Sequence, residues 1–326
     1  MDQQIPTSEQ QRRKSLEDVA RRALEFYPVE PEHVEFLVEE TNVFFRVQDT
    51  RGKSFALKVF QEESSCLDDN NAEVYFLEQL QDIPTPRVIR NRQGEGITLA
   101  HTPHFPIPKR VAMYTWMEGE DLDGKETPSR FFQLGSLMAQ LHVQTRDWDI
   151  PAHIHPKKWD NVFYYDGETP VYREPQYAPF VEHDTIETMD RIIPFLNERL
   201  QALYEKGTPQ LIHADLNPWN VKIHGAQMRV LDFEEAMLGF PVHDMAVMLY
   251  YYRYDPKFCF AEVKRSVMEG YRSQVPEAQF DDEQIEMLMI ARRVNFLNYA
   301  LVIDDDPAPF IRMCTGRIQE FLEGRM

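Results

Sequence analysis

The residues best equipped for chemistry lie together: Leu211-Ile-His213-Ala-Asp215-Leu-Asn-Pro-Trp-Asn220, then Val221–Ile223, a connection His224-Gly-Ala226-Gln227, and Met228-Arg-Val-Leu-Asp232-Phe-Glu-Glu. Two short apolar runs around a glycine-containing connection predict a β-hairpin. Pairing about Ala226 sets Asn220 across from Asp232 at the open end, and a register one residue off is the alternative. Opposed residues in an antiparallel pair have Cα atoms roughly 4.5–5.5 Å apart, so an amide oxygen and a carboxylate there can share one hard cation. Mg²⁺ suits such a pair, because it takes oxygen ligands and completes its shell with phosphates and water. Asp215, on the loop leading into the hairpin, is placed to point at whatever the cation holds. A His-x-Asp-x₄-Asn run followed by a strand ending in Asp supplies a base, two metal ligands and a loop to set them. That is equipment for phosphoryl transfer.

Such residues need elements to hold them. Phe36–Val47 and Ser54–Phe60 alternate, rich in Phe and Val, with a turn at Asp49–Gly52. They predict a second hairpin. On its second strand Ala56, Lys58 and Phe60 share one face, and Phe55, Leu57 and Val59 the other. The preceding turn, Glu39-Glu-Thr41-Asn42-Val43, has no glycine. Thr41 and Asn42 can offer hydroxyl and backbone N–H groups to phosphates, or can simply form the turn. A helix over 71–80 carries Glu73 beside apolar Val74, Leu77 and Leu80. An earlier helix is expected to be capped by Ser15 with Asp18 three residues on and to stop at Pro28. Arg110–Gly119 reads as an apolar strand, followed by an acidic turn. We therefore expect a lobe boundary near 118, with lobes 1–117 and 118–326.

Beyond it, Phe131, Leu134, Leu137, Met138 and Leu141 give a core helix, with His142 at its end in a structural role. Residues 145–179 have no clean period. A long irregular connection of this kind is often functional, and this one is expected near the acceptor pocket. Further helices are predicted at Thr185–Tyr204, with Pro194 a kink site, at Met245–Tyr252 with Asp244 as N-cap, at Phe258–Val275, at Asp282–Ala300 and at Phe310–Leu322.

His213-Ala-Asp215-Leu-Asn-Pro-Trp-Asn220, Leu231-Asp232-Phe-Glu-Glu and Gly239-Phe-Pro-Val-His-Asp244 resemble the aminoglycoside phosphotransferase/choline kinase family. Ala56-Leu-Lys58-Val resembles the Val-Ala-Ile-Lys motif of the related protein kinases. The chain departs from the family's commoner form at Ala214 and Trp219, where glycine is usual. The resemblance spans about residues 36–300. It implies a two-lobed, protein-kinase-like α+β fold: a small antiparallel-sheet lobe that binds nucleotide and a larger, mainly helical lobe that binds the acceptor.

It also implies transfer of the ATP γ-phosphate to a hydroxyl of a small molecule. Within it, Ala56 lies over the adenine, Lys58 meets the α/β-phosphates and Glu73 holds Lys58. Thr115 and Met117 offer a backbone carbonyl and N–H to the base. Asn220 and Asp232 hold Mg²⁺, Asp215 aligns the acceptor hydroxyl, His213 supports the loop and Asp244 braces it. Aminoglycoside, choline or ethanolamine, homoserine and sugar acceptors are all family options. A protein serine/threonine kinase and a nucleotide-binding pseudokinase are the alternatives. Against the first, this chain lacks an Ala-Pro-Glu segment and an obvious activation loop. The second sits poorly with the presence of Lys58, Asp215, Asn220 and Asp232.

Composition narrows the partners. With 326 residues, a two-lobed molecule is expected. A formal net charge of −19 disfavours nucleic acid and fits a cationic or neutral acceptor. Cys66, Cys259 and Cys314 are scattered, without the spacing of a zinc site or disulfide framework. The polar stretch 1–14 lacks a signal-peptide core and no apolar run approaches the ~20 residues of a membrane span. The expectation is a cytoplasmic protein without membrane contact.

Overall fold

A computed structural model describes residues 9–62, 65–165 and 168–324. Most of the polar N-terminal stretch, residues 1–8, lies outside the described residues. Helix α1 (Glu9–Leu24) leads into strands β1 (Pro31–Glu39), β2 (Val43–Asp49) and β3 (Ser54–Val59), then α2 (Leu67–Gln79), β4 (Ile97–Ala100), β5 (Lys109–Thr115) and β6 (Glu120–Asp121). Next come α3 (Pro128–Thr145), β7 (Lys157–Lys158), α4 (His183–Lys206) and β8 (Gln210–Ile212). The hairpin β9 (Val221–His224) and β10 (Gln227–Val230) follows, then β11 (Met237–Gly239) and helices α5 (Pro241–Tyr250), α6 (Phe260–Arg272), α7 (Asp282–Ile303) and α8 (Ala308–Glu323). The fold is α+β: an N-terminal antiparallel sheet, then a mainly helical C-terminal part. Two compact units divide the chain. The first holds Met1–Leu122, Ile150–His155 and Val221–Glu235, and the second holds Asp123–Asp149, Pro156–Asn220 and Ala236–Met326.

In the first unit the strands form a five-stranded sheet in the order β1-β2-β3-β5-β4. Strand alternation decides its two faces. Phe45 and Val47, Phe55, Leu57 and Val59, and Val111 and Met113 are buried against Leu16, Val19, Ala20 and Ala23 of α1. Ala56 and Lys58 therefore project from the opposite face. The β2–β3 turn closes where Asp49 Oδ1 accepts the N–H groups of Arg51 and Lys53, with Gly52 at φ +79°. Ser15 is not a cap. α1 begins six residues earlier, and Ser15 is buried in it with Oγ donating to the Gln11 carbonyl at 2.9 Å, the back-bonding open to a mid-helix serine.

The chemically equipped hairpin is present, in the alternative register. Val221 pairs with Val230 and His224 with Gln227, which is one residue off the pairing about Ala226. Gly225, at φ +62°, lets Gly225-Ala226 close a two-residue turn, and that fixes the register. The regular pairing stops at Val230. Asp232 then takes φ +54°, a left-handed conformation that non-glycine residues rarely hold outside functional or strained positions.

In the second unit α3 and α6 lie in close contact. A Cβ on Gly135 would fall 2.0 Å from the Val267 carbonyl oxygen, and one on Gly270 1.9 Å from that of Phe132. Glycine is what permits this approach. A short sheet runs β7-β11-β8. α4 continues through Pro194. α5 starts at Pro241 rather than Met245, with Phe240 preceding it. Proline suits the first helical position because its missing N–H would have no partner there. Asp244 is thereby moved from the expected N-cap into the helix, where it is fully buried. Among the described residues no helix is long and apolar enough to cross a membrane.

Candidate active site

In the first unit the side chains converge on Lys58, 1% exposed on β3. Its Nζ donates to Glu73 Oε2 of α2 at 3.0 Å, lies 3.0 Å from Glu234 Oε2 and 3.5 Å from Asp232 Oδ1. The rings of Phe44 and Phe60 flank the ammonium at 5.6 and 5.1 Å. Burial alone would push the Lys58 pKa down. The charges of Glu73, Glu234 and Asp232 outweigh it, and the net direction is up. Glu73 is itself buried, and its other oxygen accepts from Tyr114 Oη at 2.8 Å. Burial first, and then the Glu73 charge, raise the Tyr114 pKa well above its ordinary value. Breaking a buried pair of this kind costs far more than the pair contributes, since one charge is left uncompensated.

The glycine-free turn between β1 and β2 meets the same cluster. Thr41 Oγ1 donates to Glu234 Oε1 at 3.0 Å, and Asn42 Nδ2 donates to Glu234 Oε2. Asn42 Oδ1 accepts the Gln61 N–H at 3.1 Å, so the amide orientation is set from both ends. The sequence offered Thr41 and Asn42 to phosphate or to the turn, and in the structure their side chains face a carboxylate. Ala56 is half-buried on the Lys58 face. The Thr115 N–H donates to the Arg87 carbonyl at 2.9 Å, which leaves its own carbonyl as the group it can offer. Met117 lies two residues past β5.

In the second unit the loop from His213 to Asn220 is tied down by Asp244. Its carboxylate accepts from His213 N at 3.1 Å, from Ala214 N at 2.5 Å and from His142 Nε2 at 2.9 Å. Burial works against this charge. The His142 hydrogen bond and charge, with smaller help from His213 and the Ala214 N–H, outweigh it and hold the Asp244 pKa below its ordinary value. His142 is fully engaged, its Nδ1 meeting Tyr271 Oη at 3.0 Å. His213 Nδ1 accepts the Asp215 N–H at 3.2 Å. Ala214 sits at φ +64°, which explains why glycine is the commoner residue there. Trp219 is half exposed, and its ring meets Tyr251 edge-on at 5.6 Å. Its N–H and that of Asn220 both donate to Asn217 Oδ1 at 2.9 Å, so the asparagine shapes the turn without glycine.

Both Asp215 oxygens have partners. Asn217 Nδ2 and Asn220 Nδ2 each donate to Oδ2 at 2.9 Å. Arg292 Nη2 of α7 donates to Oδ1 at 2.7 Å. Arg292 is 6% exposed, donates to Tyr164 Oη at 2.9 Å and lies over the Phe296 ring at 4.4 Å. Asn220 commits its NH₂ to Asp215, so its amide oxygen is the atom it can offer a hard cation. In the first unit, Asp232 has a carboxylate. Among the described residues no group of three or more His, Cys, Asp or Glu forms a ready-made metal cage. Each donor taken singly is an oxygen of the kind Mg²⁺ accepts.

The sequence assigned no role to Tyr114 and Glu234 in the first unit or to Arg292 in the second. Glu234 had one signal, a second acidic residue two positions after Asp232. Arg292 had one signal, a double arginine inside an otherwise apolar helix.

Comparisons with known proteins bear on the fold and the family. Among solved structures, amicoumacin kinase in complex with AMP-PNP, Ca²⁺ and Ami matches with TM-score 0.74 and 18% identity, over 94% of this chain and 95% of that one. A microcompartment-associated aminopropanol kinase matches with TM-score 0.75 and 22% identity, over 94% and 97%. A thermostable mutant of an aminoglycoside phosphotransferase matches with TM-score 0.60 and 16% identity, over 90% and 95%. At these identities the likeness is one of fold. No curated protein matches the chain by sequence. The sequence profile described as the phosphotransferase enzyme family matches residues 34–278, most of the chain, and the chain belongs to that family.

Proposed function

We propose that the chain transfers the γ-phosphate of ATP to a hydroxyl of a small molecule, in the cytoplasm and with Mg²⁺. The carrying observation is the meeting of residues 58, 73 and 232, remote in sequence, at one buried ammonium. In this reading residues 1–117 serve the nucleotide and residues 118–326 the chemistry and the acceptor. Lys58, held by Glu73, contacts the α/β-phosphates, with Thr41 and Asn42 beside them. Ala56 packs on the base, which Thr115 and Met117 meet through backbone groups. Asn220 and Asp232 would hold Mg²⁺, which supplies charge neutralisation on the phosphates.

Asp215 accepts a hydrogen bond from the acceptor hydroxyl and aligns it; a loose transition state asks for little base strength early. His213 and Asp244 keep the loop in place. The acceptor class stays among alcohols of the kinds the neighbours are named for, amicoumacin, aminopropanol and aminoglycosides, together with choline or ethanolamine, homoserine and sugars. The charge of −19 fits a cationic or neutral one.

The test is ADP release from ATP-Mg²⁺ with panels of small alcohols and of proteins. The expected result is ADP formation that depends on a particular alcohol and is absent in Asp215→Asn. Phosphate incorporated only into protein would turn the reading to a protein kinase. Nucleotide binding without transfer to any acceptor would turn it to a pseudokinase.

A further inference from the structure

An ionised carboxylate only accepts hydrogen bonds, with about two lone pairs on each oxygen. At Asp215, Asn217 Nδ2 and Asn220 Nδ2 both donate to Oδ2 at 2.9 Å, which fills that oxygen. Arg292 Nη2 donates to Oδ1 at 2.7 Å, which leaves one lone pair there. The donors are themselves held. Asn217 Oδ1 accepts the Trp219 and Asn220 N–H groups, and Asn220 Nδ2 also donates to the Asp215 carbonyl at 2.9 Å. Arg292 is buried; its other terminal nitrogen, Nη1, donates to Tyr164 Oη at 2.9 Å, and its guanidinium lies over the Phe296 ring. Tyr164 is buried in turn, edge-on to Trp159 at 5.6 Å.

We propose that Arg292 is a positioning residue for phosphoryl transfer: by taking one lone pair of Asp215 Oδ1, it leaves the other as the place and the direction for the acceptor hydroxyl. The inference rests on the reading of Asp215 as the residue that aligns that hydroxyl, and it adds which oxygen does so and what aims it. The torsion that turns a carboxylate about its Cβ–Cγ bond is broad, so the aim has to come from outside the side chain. Of the three donors the guanidinium alone is charged, and a charge-assisted hydrogen bond is roughly twice as strong as a neutral one. Its planar fork lets one side chain bond Asp215 and Tyr164 together, which a lysine ammonium on a flexible stem does less well. Through Tyr164 the irregular connection between α3 and α4 gains a part in the site: it holds the arginine that aims the aspartate.

The test uses the full chain with ATP-Mg²⁺ and, as acceptor, an alcohol of the panel that supports ADP release by the wild type. Arg292→Gln removes the charge and the fork, and Arg292→Lys keeps the charge. Rates are taken per molecule that binds AMP-PNP, so that loss of folded protein does not count. Arg292→Gln is expected to lower kcat by about tenfold to a hundredfold, the scale of a misdirected reacting group, with KM for the alcohol little changed. Arg292→Lys should recover part of that loss. Added to Asp215→Asn, Arg292→Gln should slow the enzyme little further, because both changes remove the same aim. A kcat for Arg292→Gln within about threefold of the wild type, or a double variant in which the two losses multiply, overturns the inference and leaves the phosphotransferase reading standing.

Absence of ADP release with every alcohol overturns that reading, and the inference with it. If Arg292→Gln fails to fold, a structure of the wild type with AMP-PNP, Mg²⁺ and the alcohol decides. The hydroxyl should lie within hydrogen-bond distance of Asp215 Oδ1, with Arg292 still on the same oxygen. A hydroxyl on Oδ2 alone, or an Arg292 that has left Asp215, overturns the proposal.

Discussion

Lys58 and Asp215 are opposite answers to one problem, a charged group held in place by fixed partners. Lys58 is a buried cation among three carboxylates. Asp215 is an anion held by one guanidinium and two neutral amides. The second arrangement is balanced and complete as it stands. In the first, three carboxylates converge on one ammonium. In the proposed function the difference separates two tasks: Lys58 meets the charge of the nucleotide, and Asp215 keeps the direction of the acceptor hydroxyl.

The sharpest way to break this comparison is Asp215→Asn. The loss of turnover should be on the order of 10²–10⁴-fold, with AMP-PNP affinity in Mg²⁺ unchanged. A parallel fall in nucleotide affinity would show that the two tasks are not separate. Next in size, Lys58→Ala should lower stability in urea denaturation by about 3–5 kcal/mol, because buried Glu73 loses its cation. Adding Glu73→Ala should recover part of that. Strict additivity of the two substitutions would mean that the side chains are not coupled.

The pH dependence should also differ between the two units. In the second, His243 is fully buried in α5 beside Asp244, and burial lowers its pKa from 6.5 to about 4. A base depressed on folding stabilises above its unfolded value and loses that contribution as pH falls through the folded one. Stability should therefore drop by on the order of 3 kcal/mol from pH 6.5 down to about 4, and Asp244, held below 3.8, should add a further loss below that. Lys58, raised above 10.5, keeps its contribution on the acid side and loses it only as pH rises through the raised value. Thermal melts of the wild type and His243→Gln across pH 4–7 check the acid limb: the variant should show the flatter curve.

The smallest effect concerns the loop backbone. Ala214→Gly should raise stability by about 1 kcal/mol, since a left-handed conformation costs an L-residue roughly that much. A loss in the melting curve would mean that the methyl group packs usefully.

Legibility followed burial. The sheet could be read because its faces differ in residue type: Phe55, Leu57 and Val59 are buried against α1 and alternate visibly with Ala56 and Lys58. The same alternation sets Lys58 toward α2, where the helical period brings Glu73. Asp244 was legible as a loop brace through resemblance, but its own position misled: three residues of α5 precede it, and only the proline at 241 announces them. Arg292 was hidden because α7 is buried on most of its surface, which erases the amphipathic period that would have marked one residue as different. The hairpin register turned on whether the connection closes around one residue or two, a choice that composition does not make. Glu234 was in view, but its partners on the β1–β2 turn are 192 and 193 positions away.

The first unit is not one continuous length of chain. It includes Val221–Glu235, which the ribosome delivers long after the sheet. While the chain is being made, Lys58 has Glu73 available and neither Asp232 nor Glu234, so the nascent sheet can close around a balanced pair. Asp232 and Glu234 arrive late, with a short hairpin. An exchange of gene segments that ended at Leu122 would transplant the lysine and its partner without these two acids. Inheritance of the whole first unit therefore depends on fifteen or so residues encoded far downstream, between segments of the second.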